Sequence, residues 1–327
     1  MFELITNFPQ QLREAIKIGE SASLTKAKVP ISNIVISGLG GSGIGGSIAS
    51  QLFEKESPVP ITVNNKYFLP AFVNSNTLVI ISSYSGNTEE TISCMKEAMK
   101  KSAKIVCITS GGAIAEMAIN NKLDFIKIPG GNPPRTCLGY SLTQLMYILS
   151  FYGIISPSFK EKLNAAIELI IDQKPQIIVE SKAVAAKLLH KLPVIYSVSS
   201  GEAISIRFRQ QLNENAKVLC WHHVFPELNH NELVGWTEKN ENMAVVIFRN
   251  NTDFIRNQNR IEISKQIIAR YTSTIIEIFS KGESNIEHAI YLIHLGDWIS
   301  YFLADLKGID AVEVKVIDLL KSELLKS

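Results

Sequence analysis

Leu78-Val-Ile-Ile-Ser-Ser-Tyr-Ser-Gly-Asn-Thr-Glu-Glu90 is the stretch on which the fold turns. It opens as an apolar, β-branched run ending in serine, the pattern of a strand buried on both faces. From Glu89 onward the apolar residues Ile92, Met95, Ala98 and Met99 recur at helical spacing. Between the two lies a turn with three hydroxyls, Ser83, Ser85 and Thr88, around Gly86. Strand, hydroxyl-rich turn and helix in that order form one unit of a parallel α/β sheet.

Working outward, the same alternation appears on both sides. Asn33–Ser37 (NIVIS) predicts a buried strand, followed by a glycine-rich turn and a helix to about Phe53. Short strands are expected at 61–64, 104–109 and 125–128, and an apolar helix at 138–151. A more charged helical stretch at 156–175 then links to a second series. There, 193–197 (PVIYS), 243–248 (MAVVIF) and 274–279 (TIIEIF) are again β-rich, with helical patterns between them. An apolar helix is expected at 288–306 and an amphipathic terminal one at 317–325. The strand at 33–37 and its Gly40-Gly41 turn align 160 positions later with 193–197 and Ser200-Gly201, and the next two strands follow at offsets of about 165 and 170. The sequence thus predicts an internal duplication in which the second copy has lost the serine-rich turns. A length of 327 residues suits two domains of roughly 130–150 residues each. The expected division is 1–153, a helical linker at 154–180, and 181–327.

Composition narrows the function. The 33 basic and 31 acidic residues are interspersed, for a net charge of +2, and no basic block stands out. Nothing in that balance calls for nucleic acid or a membrane surface. A small anionic metabolite needs only a few local donors and stays compatible. Cys94, Cys107, Cys137 and Cys220 are scattered, with no pair at zinc spacing. The N-terminal stretch lacks the charged start and apolar core of a secretory leader, and no run approaches the ~18 apolar residues of a membrane span. Free thiols favour a reducing compartment, so a cytoplasmic protein is expected.

Gly38-Leu-Gly-Gly-Ser-Gly-Ile-Gly-Gly46 lies between a predicted strand and a predicted helix. Such a turn lets backbone approach a ligand closely, and the helix behind it aims free N–H groups and a positive dipole end at an anion. A dinucleotide fingerprint is the rival, but the strand ending at Asn64-Asn65 offers no acidic residue for a ribose. Ser83, Ser85 and Thr88 can surround a phosphate with neutral donors. The same hydroxyls also serve as helix caps, with Thr88 or Ser85 at the N-cap and Glu89 or Glu90 in the first turn. His222, His223 and His230 with Glu227 and Glu232 raise a metal site as an alternative, against which their irregular spacing counts.

SxSGxT after a strand, preceded by GGSG, resembles the sugar isomerase (SIS) domain. Gly130-Gly-Asn-Pro-Pro-Arg135, Gln211-Leu-Asn-Glu-Asn-Ala-Lys217, Glu227-Leu-Asn-His-Asn-Glu-Leu-Val-Gly235 and Gly296-Asp297 narrow the resemblance to the bifunctional phosphoglucose/phosphomannose isomerase family, over nearly the whole chain. The resemblance implies two SIS-like α/β domains, each a parallel sheet flanked by helices in the flavodoxin-like, three-layer arrangement. It implies reversible conversion of glucose 6-phosphate to fructose 6-phosphate, and of mannose 6-phosphate in bifunctional members, by a homodimer with shared sites.

Residue by residue, Gly41, Ser42, Ser83, Ser85 and Thr88 would hold the phosphate. Glu214 would move the proton between C1 and C2, and Arg135 would stabilise the enediolate. His230, contributed by the neighbouring subunit, would help open the ring, and Lys321 would line the site. These residue types suit the chemistry, because proton abstraction next to a carbonyl needs a base and a nearby cation. With an arginine as that cation, neither a metal nor a cofactor is expected. Val314 departs from the pattern, standing where bifunctional members carry a threonine linked to acceptance of the mannose epimer. A non-catalytic SIS-type sugar-phosphate sensor is the alternative reading. It predicts binding without turnover.

Overall fold

The computed structural model describes residues 1–324 and Lys326. The chain divides into two compact units, one comprising Thr6–Glu168 with Glu283–Glu287, the other Met1–Ile5, Leu169–Gly282 and the chain from His288 onward.

In chain order the elements begin with α1 (Phe2–Thr6), α2 (Phe8–Ser21), β1 (Asn33–Ser37), α3 (Gly40–Leu52), β2 (Ile61–Asn64) and β3 (Thr77–Ser82). Then come α4 (Glu89–Lys100), β4 (Lys104–Thr109), α5 (Gly112–Asn120), β5 (Asp124–Lys127) and α6 (Leu138–Phe151). The five strands form one parallel sheet in the order β2-β1-β3-β4-β5, the flavodoxin-like order. Val35, Val79, Ile81 and Cys107 point to one face and pack with Cys94 and Met95 of α4 and Ile114 of α5. Ile36 points the other way and meets Gly46 of α3. Both faces are covered, which is why these strands read as unbroken apolar runs.

After α7 (Phe159–Asp172) and α8 (Lys174–Leu188) the design restarts. It continues through β6 (Leu192–Val198), α9 (Glu202–Glu214), β7 (Trp221–Phe225), β8 (Met243–Arg249), α10 (Ile255–Ile268) and β9 (Ile275–Phe279). The chain ends in α11 (Asn285–Leu306) and α12 (Lys315–Leu324). The four strands again run parallel, in the order β7-β6-β8-β9. Val194, Tyr196, Val245 and Ile247 build the core on one face with Phe225, Trp236 and Ile261.

The α/β class and the paired parallel sheets agree with the sequence reading. Differences are local. The charged stretch expected as one helix is two, broken at Gln173, with a proline in the first turn of the second. β7 was not expected: WHHVF mixes polar with apolar residues, and only its last two residues are buried. Its place in the duplication is nonetheless regular, since Ile61 plus 160 gives Trp221. Of the terminal helix expected at 317–325, Leu325 lies outside the described residues. Among the described residues no helix is long and apolar enough to cross a membrane.

Candidate active site

The topological switch point of the first sheet lies between β1 and β3, and in such sheets ligands gather beyond the strand ends there. The glycine loop after β1 and the hydroxyl turn after β3 both open at this point. They are tied together directly, because the Tyr84 N–H donates to Ser42 Oγ at 3.1 Å. Ser83 is buried. Its amide donates to Ile108 O, and its Oγ lies 3.0 Å from Thr88 Oγ1 and accepts the Gly86 N–H at 3.2 Å. Ser85 is exposed, and its Oγ accepts the Asn87 N–H at 3.3 Å.

Gly86 has φ +71°, and a Cβ there would lie 1.8 Å from Gly111 O. Only glycine combines that backbone with so close a neighbour. The turn is further held by the β4–α5 loop, where Ser110 Oγ donates to Tyr84 O at 2.7 Å and the Ala113 N–H donates to Asn87 Oδ1 at 3.0 Å. These supporting groups are absent from the sequence reading. Tyr84 accepts the Asn132 N–H on its hydroxyl, and burial pushes that phenol up to about 12, so it stays neutral.

Thr88 occupies the N-cap position of α4, as one sequence alternative had it, yet its side chain makes no cap hydrogen bond. Its hydroxyl turns to Ser83 instead. The first-turn N–H groups of α4 therefore keep no side-chain oxygen from Thr88, and the positive end of the helix stays available to an anion.

Arg135 lies in a single 3-10 turn, Pro134–Thr136, behind two prolines and just before α6. It is 4% exposed. Its backbone is a wall of the glycine loop: a Cβ on Gly41 would lie 2.9 Å from Pro134 O and 3.5 Å from Arg135 Cα. Gln11 of α2 fixes the segment, donating to Thr136 O and accepting the Gly139 N–H, each at 2.8 Å. In the first-sheet unit, then, Gly41, Ser42, Ser83, Thr88 and Arg135 are brought to one place by hydrogen bonds or backbone contact.

The remaining candidates lie in the second-sheet unit. Glu214 is the half-buried last residue of α9. Lys217 Nζ donates to Glu214 O at 2.5 Å and to Glu313 O at 2.6 Å. It thereby joins the end of α9 to the segment that carries Val314, whose carbonyl accepts the Ile317 and Asp318 N–H groups as α12 begins. Lys321 is exposed on α12.

His230 ends a 3-10 turn, Glu227–His230, beyond β7, in the loop its composition predicts. Asn229 beside it is held by α10 through Ser264 Oγ at 2.8 Å. No hydrogen bond joins His230 to Glu214 among the described residues. His222 lies on β7 with Nε2 3.7 Å from Glu202, and burial, then the charge of Arg209, holds its imidazole below the usual range. Among the described residues no group of three or more His, Cys, Asp or Glu is arranged to hold a metal ion. His288 contacts Gly282 O at 2.9 Å, and His294 is buried and held down to about 3, so both are packed residues of α11.

Parallel sheets with a hydroxyl cradle at the first switch point define the SIS class. Residues 29–128 match the SIS domain, and residues 178–324 match the bacterial phospho-glucose isomerase C-terminal SIS domain. The C-terminal domain of glucosamine-fructose-6-phosphate aminotransferase from Francisella tularensis has the same fold, with a TM-score of 0.75 at 16% identity over 96% of this chain and 97% of that one. Sequence similarity goes further. The bifunctional phosphoglucose/phosphomannose isomerase of Caldicellulosiruptor bescii is 40% identical over 99% of this chain and 98% of its own length. That of Aquifex aeolicus is 36% identical over 94% and 95%. The chain belongs to the bifunctional phosphoglucose/phosphomannose isomerase family.

Proposed function

We propose that the protein interconverts glucose 6-phosphate and fructose 6-phosphate, as a homodimer with shared sites, and that the hydroxyl cradle takes the phosphate. The observation that carries this reading is the turn of Thr88 away from capping α4, toward Ser83, beside Ser42. Neutral hydroxyls and helix amides hold a dianion without a fixed cation, and the sugar's carbons are left for the acid–base groups.

In this reading Glu214 removes the proton from C2 of the open aldose. The C–H electrons form the C1=C2 bond and negative charge moves to O1, where the Arg135 guanidinium stabilises it. The O2 hydroxyl proton passes to O1, Glu214 returns its proton to C1 on the same face of the cis-enediolate, and the electrons left on O2 close the carbonyl at C2. His230, supplied by the neighbouring subunit, assists ring opening, and Lys321 lines the site. The reaction is internally redox-balanced. Val314 offers no hydrogen bond to a sugar hydroxyl, so mannose 6-phosphate turns over more slowly than glucose 6-phosphate. The dimer is supported by α12, which buries no residue and leaves Val316, Leu319, Leu320 and Leu324 more than half exposed.

Coupled assays with the three sugar phosphates test the reading. Glu214→Gln should lose about 10³-fold in kcat and still bind substrate. Mixing it with His230→Ala should restore about a quarter of wild-type activity, because half the dimers are then mixed and one of their two sites is intact. Full turnover by Glu214→Gln would remove it as the base. No recovery on mixing would place both groups in one chain.

A further inference from the structure

Glu214 stands at the end of α9, and a helix end frays unless something holds it. We propose that a buried polar clamp between α9 and α11 positions the Glu214 carboxylate. It is made by Arg207 and Gln211 on α9 and Asn215 at its C-cap, with Asp297 and Ser300 on α11. The inference rests on the reading of Glu214 as the proton-transfer base.

Arg207, Gln211 and Asn215 follow one another at intervals of four, which puts them on one stripe of the helix. Arg207 Nη2 donates to both oxygens of Asp297 at 3.1 Å, and Gln211 Nε2 donates to Asp297 Oδ1 at 2.8 Å. One turn on, Asn215 Nδ2 donates to Ser300 Oγ at 2.9 Å, and that hydroxyl donates to Asp297 O at 2.7 Å. None of the five residues is more than 6% exposed. Between the polar contacts, Phe208 packs on Gly296, so the two helices approach closely.

A buried ion pair is poor value as a stabiliser, because apolar side chains of similar volume hold two helices as well or better. What the polar set adds is direction. Apolar contact tolerates rotation and sliding, whereas these bonds fix the turn of α9 about its axis and its height along α11. Glu214 comes three residues after Gln211 and one before Asn215, so its backbone lies within the clamped turn. Lys217 also holds this end, through Glu214 O. Proton transfer needs reacting atoms within about 3–3.5 Å, and a misplacement of about 1 Å costs about 10²-fold in rate. The clamp therefore acts on kcat, through the position of the base.

The test compares variants at the clamp by kcat, KM and the inhibition constant of inorganic phosphate, each per folded molecule. Asp297→Asn should lower kcat about 10²-fold, with KM and the phosphate constant within about two-fold of wild type. The triple variant Arg207→Met, Gln211→Leu, Asp297→Leu keeps an apolar contact. It should stay folded with Tm near wild type and still lose kcat at least about 10-fold, which a purely structural role would not produce. Should the triple variant fail to fold, Ser300→Ala decides, with an expected loss of about 3- to 10-fold in kcat at unchanged KM. Wild-type kcat in the folded triple variant, or in Ser300→Ala where that one decides, overturns the clamp. Glu214→Gln run alongside separates the two readings: if it is inactive while the clamp variants are fully active, the clamp alone fails. If it keeps full turnover, the base assignment fails instead.

Discussion

Two turns occupy the same place in the two sheets, one after β3 and the other after β8, and they spend their polar groups differently. The turn after β3 presents hydroxyls: Ser83 and Thr88 bond each other, Ser42 reaches across from the glycine loop, and Thr88 leaves the following helix without a side-chain cap. The turn after β8 fills itself. Asp253 accepts the Asn250 N–H on Oδ2 at 3.0 Å and the Asn250 side-chain amide on Oδ1 at 3.3 Å, and Gln258 Nε2 donates to Asp253 O at 2.7 Å. Arg249, at the end of β8, is buried and paired with Glu262 and Glu277. On the proposed reading of the first turn as the phosphate site, a duplicated fold keeps its switch point and loses its ligand site, because such a site is a property of a few turn residues. The second copy has turned the same position into a stability device.

That contrast is broken most easily at Gly86. An alanine there meets Gly111 O in a left-handed backbone, so the hydroxyl turn must open. Gly86→Ala should cost about 3 kcal/mol or more and lower kcat/KM over 100-fold, read by thermal unfolding and the coupled assay. Asn251→Ala, at an exposed position of the self-filled turn, should stay within about 0.5 kcal/mol with activity unchanged. Equal effects at the two positions would erase the distinction between the turns.

Arg249 tests the other side. Arg249→Met removes a guanidinium that serves two carboxylates. Glu262 is 53% exposed, so solvent screens much of its share and the expected cost is about 1–2 kcal/mol, with kcat/KM unaffected. The pH dependence has a definite sign. The Arg249 hydrogen bond, chiefly, holds the Glu262 carboxyl below its ordinary 4.5. The stability it lends is present above that value and is lost as pH falls through the lower, folded one. Acid unfolding monitored below about pH 4.5 should show this component in wild type and not in Arg249→Met. A fall in kcat/KM with Arg249→Met would mean that the second turn also faces the chemistry.

Much of this contrast is legible in the sequence, for physical reasons. Strands buried on both faces must be apolar throughout, so β1, β3, β4 and β8 declare themselves. β7 does not, because an edge strand with half-buried residues can carry His222 and His223 in mid-strand. Only the 160-residue repeat points to it. The proposed phosphate cradle is visible because its residues crowd into short stretches. The internal partners are not: that Thr88 prefers Ser83 to its own helix, or that Tyr84 braces Asn132, depends on tertiary contacts between segments far apart in sequence. Arg207, Gln211 and Asp297 are similar. The four-residue spacing is plain in the sequence, but a polar stripe of that kind looks the same on a solvated helix face until α11 is laid against it.

The finest distinction between the turns is a single hydroxyl. Thr88→Val keeps the shape and β-branching of the N-cap residue and removes its oxygen. Since that oxygen makes no cap hydrogen bond, helix α4 loses nothing it was using, and Ser83 Oγ keeps the Gly86 N–H as a partner. Tm should change little. A bound phosphate would lose one donor, worth about 1 kcal/mol, so KM should rise about five-fold at unchanged kcat. Thr252→Val in the second turn, where the threonine is exposed, should change neither constant. If Thr88→Val instead lowered Tm and left KM alone, the hydroxyl would be a cap after all, and the two turns would differ only in sequence.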